Sequence, residues 1–160
     1  NGAPDWYAGL ITQSNLCTEI FLPTTFTESF VCDLSSMNIL YYDQWKDTDA
    51  VEMMIYFLDA VMTEFIEKAR GIRFMERAVA FAENHRALGL GWLGWHSYLQ
   101  SRMIPFDSMK AKLLNVEIAK TSWQFRHGFD MNTNKIFAVA FTFVTAIFFQ
   151  QNLDFFVHQC

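Results

Sequence analysis

The sequence predicts an α/β fold: extended segments in the first part of the chain, then a mostly helical run after residue 47. Three observations carry this expectation. Residues 31–42 set β-branched and aromatic side chains around a short polar centre, as extended segments do, and residues 13–20 are read as extended too. From Val51 onward, apolar residues recur every three and four positions, the period of a helix with one buried face. The 160 residues are 52% hydrophobic and 17% aromatic, which fits one domain able to bury a core and is unlike a disordered chain.

Taken in order, residues 1–12 are turn-rich, with Gly2, Pro4 and Gly9 as breakers and Trp6 and Tyr7 available for packing. Pro23 ends regular pairing after Phe21-Leu22. Thr24 to Phe30 is a Thr-rich connection suited to a hairpin or loop, and Val31 to Tyr42 reads as a second extended piece. Asp47-Thr48-Asp49 then opens a helix. Side chains of this type accept orphan backbone N–H groups and suit the positive end of the helix dipole. Asp49 and Glu52 have the spacing of a capping box.

Val51, Met54, Ile55, Leu58, Val61, Met62, Phe65 and Ile66 form the stripe expected to be buried, with Asp59, Glu64 and Glu67 in water. Gly71 stops this helix after Lys68 and Arg70. Phe74 to His85 reads as the next helix, with Met75, Ala78, Val79 and Ala82 inside. Trp92 to Gln100 reads as a third. A fourth follows Pro105, capped by Asp107 or Ser108, with Met109, Leu113, Leu114 and Ile118 as its apolar residues.

Composition excludes several kinds of function. A net charge of −5 with no Lys/Arg stripe argues against a nucleic-acid groove. Three cysteines do not make a secreted disulfide framework. The N-terminus lacks the basic and apolar regions of a signal peptide, so a cytoplasmic location is expected. His85 and His96 stand too far apart for a compact pair of metal ligands, and no metal site is expected. Gly89-Leu90-Gly91-Trp92-Leu93-Gly94 is no dinucleotide fingerprint, for want of a βαβ unit. Arg86 ahead of it can hold a phosphate or a carboxylate, while the glycines equally serve close backbone approach.

The chemistry-bearing stretch is Ser14 to Ile20. If it is extended, Asn15, Cys17 and Glu19 share one face, each roughly 7 Å from the next at about 3.3 Å per residue. A carboxamide, a thiol and a carboxylate in a row can address a sugar ring. A lone cysteine in such a strand is otherwise an ordinary small buried side chain.

Gln13-Ser14-Asn15-Leu16-Cys17-Thr18-Glu19-Ile20 resembles the finger-loop motif of the large subunit of class I ribonucleotide reductases. The resemblance continues in order. Val31-Cys32-Asp33-Leu34-Ser35-Ser36-Met37-Asn38 is similar to the family's second cysteine segment, and Asn84 to Gly94 to its arginine- and glycine-rich helix start. Arg102-Met103-Ile104-Pro105-Phe106-Asp107-Ser108 follows as in many members.

The resemblance implies a slice of a ten-stranded α/β barrel that supplies the finger loop and part of the wall. It implies reduction of ribonucleotides to deoxyribonucleotides by a thiyl radical. Cys17 carries the radical, Glu19 is the general base, and Asn15 holds the sugar hydroxyls. Cys32 is one half of a redox-active pair whose partner is absent from this chain. No cofactor is expected on this stretch. The resemblance implies a radical-generating metal cofactor in a separate small subunit, and nucleotide effectors on regions of the large subunit that the chain lacks. Implied partners are that small subunit, complementary fragments of the large subunit, the ribonucleotide substrate, and thioredoxin or glutaredoxin as reductant.

The resemblance runs to about residue 120, which divides the chain into a reductase part, 1–120, and an apolar part, 121–160. Ile136 to Phe149 is fourteen residues without a charge. That is short for a membrane span of about 20 residues, and it has the composition of an aggregation-prone strand. Two rival readings follow. One is an inactive truncated remnant. The other is a partner- or membrane-binding module made by this segment.

Overall fold

The computed structural model of the chain describes residue 9 and residues 11–14, 21–124 and 137–138. Two parallel strands, β1 (Asp33–Asn38) and β2 (Leu88–Leu93), pair along their whole length, from Asp33 opposite Leu88 to Asn38 opposite Leu93. Between them run a turn of 3-10 helix (Ile39–Tyr41), a short helix α1 (Tyr42–Trp45), the long helix α2 (Ala50–Ala69) and α3 (Glu76–His85). After β2 come α4 (Trp95–Ser101) and α5 (Met109–Gln124). A two-residue strand, β3 (Phe137–Ala138), lies parallel on the other edge of β2, giving the order β1-β2-β3 among the described residues. Parallel neighbours require a crossover of this length.

The core is the space between β1, β2 and α2. Alternation along each strand turns Asp33, Ser35 and Met37 of β1, and Leu88, Leu90 and Trp92 of β2, to the same side. Met37, Leu88, Leu90 and Trp92 meet Val51, Ile55, Leu58, Met62 and Ile66 of α2 there, in one cluster. Each of these side chains, fully buried, contributes on the order of 1.5–3 kcal/mol. Trp45 stacks flat on Trp92 with 5.7 Å between ring centroids, and its Nε1 donates to Asn38 O at 3.0 Å. Tyr42 and Tyr98, both buried, meet edge to face. Phe81, wholly buried, centres a second cluster with Leu22 and Ala87.

Several expectations need correction. Leu88–Leu93 is a buried strand, where the sequence reading had the start of a helix. The next helix therefore begins at Trp95, after Gly94 in a left-handed conformation, and not at Trp92. Val31 to Tyr42 is extended only as far as Asn38, whose side chain accepts from Leu40 N and turns the chain into the 3-10 helix.

Asp49 precedes α2 as expected but makes no side-chain cap. Thr48 takes that role, its Oγ1 accepting from Ala50 N at 3.3 Å. Val61 of the expected stripe is exposed, because it falls at the edge of the buried arc. Asp59, placed in water by the pattern, is paired with Arg86. Phe74 stands outside α3 and is exposed. On α5, Ser108 makes the cap, its Oγ accepting from Ala111 N at 3.2 Å. Met109 and Leu113 are exposed, while the small Ala111 and Ala119 are buried with Ile118. Ala111 packs with Leu99 of α4 and with Ile104.

Candidate active site

Cys32 is the expected site residue that falls within the described part. Asn15, Cys17 and Glu19 lie outside the described residues. Cys32 immediately precedes β1 and is half-buried, its Sγ facing Asp33 O at 3.9 Å. By alternation it shares the face of Leu34 and Ser36, opposite the helix-packed face. The neighbouring strand presents Gly89 and Gly91 in register with Leu34 and Ser36. A Cβ built on Gly89 would collide with Leu34 Cδ2 and stand 3.3 Å from Cys32 Sγ. The bare glycine thus lets Leu34 lie flat across β2 beside the thiol. This packing is why a segment so rich in glycine is a strand here.

Asp33, next to the thiol in sequence, points the other way, towards the helices. Its Oδ2 is buried with no hydrogen-bond partner among the described residues. Burial raises its pKa above the ordinary aspartate value, against a smaller lowering by the Leu34 N–H. The strand is anchored by Asp33 N donating to Ala87 O at 3.3 Å.

The loop leading to Cys32 is held by contacts that the sequence did not announce. Glu28 accepts from Asn84 Nδ2 at 2.5 Å through Oε1 and meets His85 Nε2 at 3.0 Å through Oε2. The Asn84 hydrogen bond, then that of His85, holds the Glu28 carboxyl below the usual glutamate range. Arg77 Nη2 donates to Thr25 O at 2.5 Å and to Glu28 O at 3.3 Å, and Ser29 N donates to Arg77 O at 3.1 Å. Thr25 Oγ1 closes the turn by accepting from Glu28 N at 3.1 Å. The only sequence hint was an acid inside a Thr-rich loop.

His85 is thus spent on Glu28, and its ring lies 4.5 Å from that of Phe81. His96 is exposed on α4. Arg86 takes a carboxylate, that of Asp59: Nε reaches Oδ1 at 2.9 Å, and Nη2 reaches Asp59 O at 2.8 Å and Thr63 Oγ1 at 2.7 Å. It therefore joins α3 to α2.

These features define a segment of an α/β protein whose sheet packs helix α2 on one face and carries the Cys32 thiol on the other. The ribonucleotide reductase barrel domain matches residues 3–123, and the chain belongs to that family. It is 44% identical over 112 residues to the ribonucleoside-diphosphate reductase large subunit of Invertebrate iridescent virus 3, which covers 69% of this chain and 18% of that protein. It is 46% identical over 102 residues to the putative large subunit of Frog virus 3, covering 63% and 18%. Among solved structures, the Actinobacillus ureae class Id ribonucleotide reductase alpha subunit is similar with a TM-score of 0.75 and 46% identity, over 87% of this chain and 31% of that one. The chain spans about a fifth of the length of these curated relatives.

Proposed function

We propose that this chain supplies catalytic-core residues of a ribonucleoside-diphosphate reductase large subunit and acts together with large-subunit segments that it does not contain. The observation that carries this reading is the ordered match of its two cysteine segments to the family, together with the placement of Cys32 at the head of a strand paired with the glycine strand. Residues 1–120 form the reductase part, and residues 121–160 the Phe-rich apolar part, of which Phe137–Ala138 pairs with β2.

A separate small subunit with a metal cofactor supplies the oxidising equivalent. On this chain, Cys17 as a thiyl takes the ribose 3′ hydrogen, forming S–H as C–H breaks. Glu19 accepts the 3′-hydroxyl proton, a task for a carboxylate in hydrogen-bond reach. Asn15 can donate and accept at once, so it holds the sugar hydroxyls and the ketone-like intermediate. Cys32 and a cysteine from outside this chain give up two electrons and two protons as they close to a disulfide: one proton leaves with the 2′-hydroxyl as water, and the other, with the electrons, becomes the new hydrogen on C2′. Cys17 returns the hydrogen. Thioredoxin or glutaredoxin then reopens the disulfide, and nucleotide effectors act on regions outside this chain. The setting is the cytoplasm. Among the described residues no helix is long and apolar enough to cross a membrane.

The test is turnover by the chain combined with complementary large-subunit segments and a class I small subunit. Cys17→Ser is expected to abolish deoxynucleotide formation, because an alcohol O–H bond is too strong for the relay. Glu19→Gln is expected to lose roughly 10²–10⁴-fold, the range of a positioned general base. Undiminished turnover by Cys17→Ser would remove the reading.

A further inference from the structure

The space above Gly89 is filled from the neighbouring strand. A methyl group added there would claim the volume of Leu34 Cδ2 and come to 3.5 Å from Leu34 Cγ and 3.3 Å from Cys32 Sγ. The sulfur contact is tighter than an ordinary van der Waals approach, and the Leu34 contact cannot exist unless Leu34 moves. Leu34 is 44% exposed, so it can shift without leaving this face of the sheet. Gly89 is in a strand conformation that alanine also adopts, since positive φ occurs at Gly9, Gly71 and Gly94 and not here. Its glycine identity therefore reflects space and not backbone strain.

We infer that Gly89 is a positioning residue for the Cys32 thiol: its missing side chain seats Leu34 across β2, and the seated Leu34 adds to the cover that Leu22, Phe81 and Ala87 give Cys32. The relevance of this seat to reduction rests on reading Cys32 as the redox cysteine. The seat itself does not.

One exchange isolates it. In Gly89→Ala the new methyl takes the place of Leu34 Cδ2 and presses on the sulfur, and the displaced Leu34 side chain is crowded in beside it. A thiol shielded from water forms its thiolate less readily. In Leu34→Ala the seat empties and the sulfur gains solvent. In the double variant Gly89→Ala/Leu34→Ala, the new methyl stands where Leu34 Cδ2 stood, so the surroundings of the thiol are rebuilt from the other strand.

The experiment is site-resolved alkylation of the folded chain by iodoacetamide, with the rate at Cys32 read separately from Cys17 and Cys160 by peptide mass spectrometry. Gly89→Ala is expected to slow Cys32 by about three- to tenfold, because a thiol more tightly covered meets the reagent less often and forms its thiolate less readily. Leu34→Ala should speed it, and the double variant should return to within about twofold of the parent, as expected when one methyl replaces another in the same volume. A Gly89→Ala chain that folds and reacts at the parent rate overturns the proposal. So does a double variant no nearer the parent than Gly89→Ala. If Gly89→Ala alone does not fold, the double variant decides: folded with the parent rate supports the seat, and unfolded refutes it. Because alkylation reads packing alone, it stands apart from whether Cys32 turns over in catalysis.

Discussion

On the face of the sheet turned to α2, Met37, Leu88, Leu90 and Trp92 are buried against helix side chains. On the other face, Leu34 lies over Gly89 beside Cys32 and keeps 44% of its surface exposed. The same two strands thus pack large side chains on one side and a half-buried thiol on the other. Large residues fill the first side, while the second is shaped by the absence of a side chain.

Mutations that reach the two faces separate these roles. The largest stability effect belongs to the packed face. Leu90→Ala is expected to cost about 2–5 kcal/mol in urea unfolding, the range for a fully buried leucine. Leu34→Ala should cost less than about 1.5 kcal/mol, since little of its burial is lost. Equal costs would erase the distinction between the faces.

Next in size is the Arg86–Asp59 link between α3 and α2. Arg86 sits at φ 45, so Arg86→Gly suits the backbone and isolates the lost side chain. It should cost about 1–3 kcal/mol, the worth of hydrogen bonds to a partly buried charged group. No loss would make the pair a surface ornament.

Much of this was legible beforehand. The long helix declared itself because eight apolar positions kept the helical period, and of Asp107 and Ser108, the two caps expected for α5, Ser108 makes it. The glycine strand did not declare itself, because glycine carries neither hydrophobic period nor strand propensity; only the packing of Leu34 and Cys32 over Gly89 explains it. Phe81 was overlooked because it falls outside the stripe read on its helix, yet it is wholly buried under the loop before β1. Glu28 was invisible because its partners, Asn84 and His85, lie more than fifty residues away. The row of Asn15, Cys17 and Glu19 lies outside the described residues and stands on resemblance.

Smaller, pH-dependent effects sharpen the contrast around Cys32. Burial raises the folded pKa of Asp33, so the folded state pays for its charge at neutral pH. Asp33→Asn should therefore stabilise the chain at pH 7. The gain should shrink as pH falls through the raised value and vanish below the ordinary aspartate value, where both states are protonated. Glu28 has the opposite sign. Its lowered folded pKa contributes stability that is fully present above the unfolded value and lost as pH falls through the folded one. Glu28→Gln should remove that acid limb from urea midpoints measured against pH. An unchanged limb would mean that the loop clamp carries no linked proton.

The most direct test of the account asks whether Cys17 and Cys32 divide the labour. In the chain joined to complementary large-subunit segments and a small subunit, single-turnover base release is measured against deoxynucleotide formation. Cys32→Ser is expected to release base and lose the radical without forming deoxynucleotide, because hydrogen abstraction proceeds while reduction is blocked. Cys17→Ser is expected to do neither. If Cys32→Ser showed the silent profile of Cys17→Ser, with no base release and no radical loss, the assignment of separate roles to the two thiols would be contradicted.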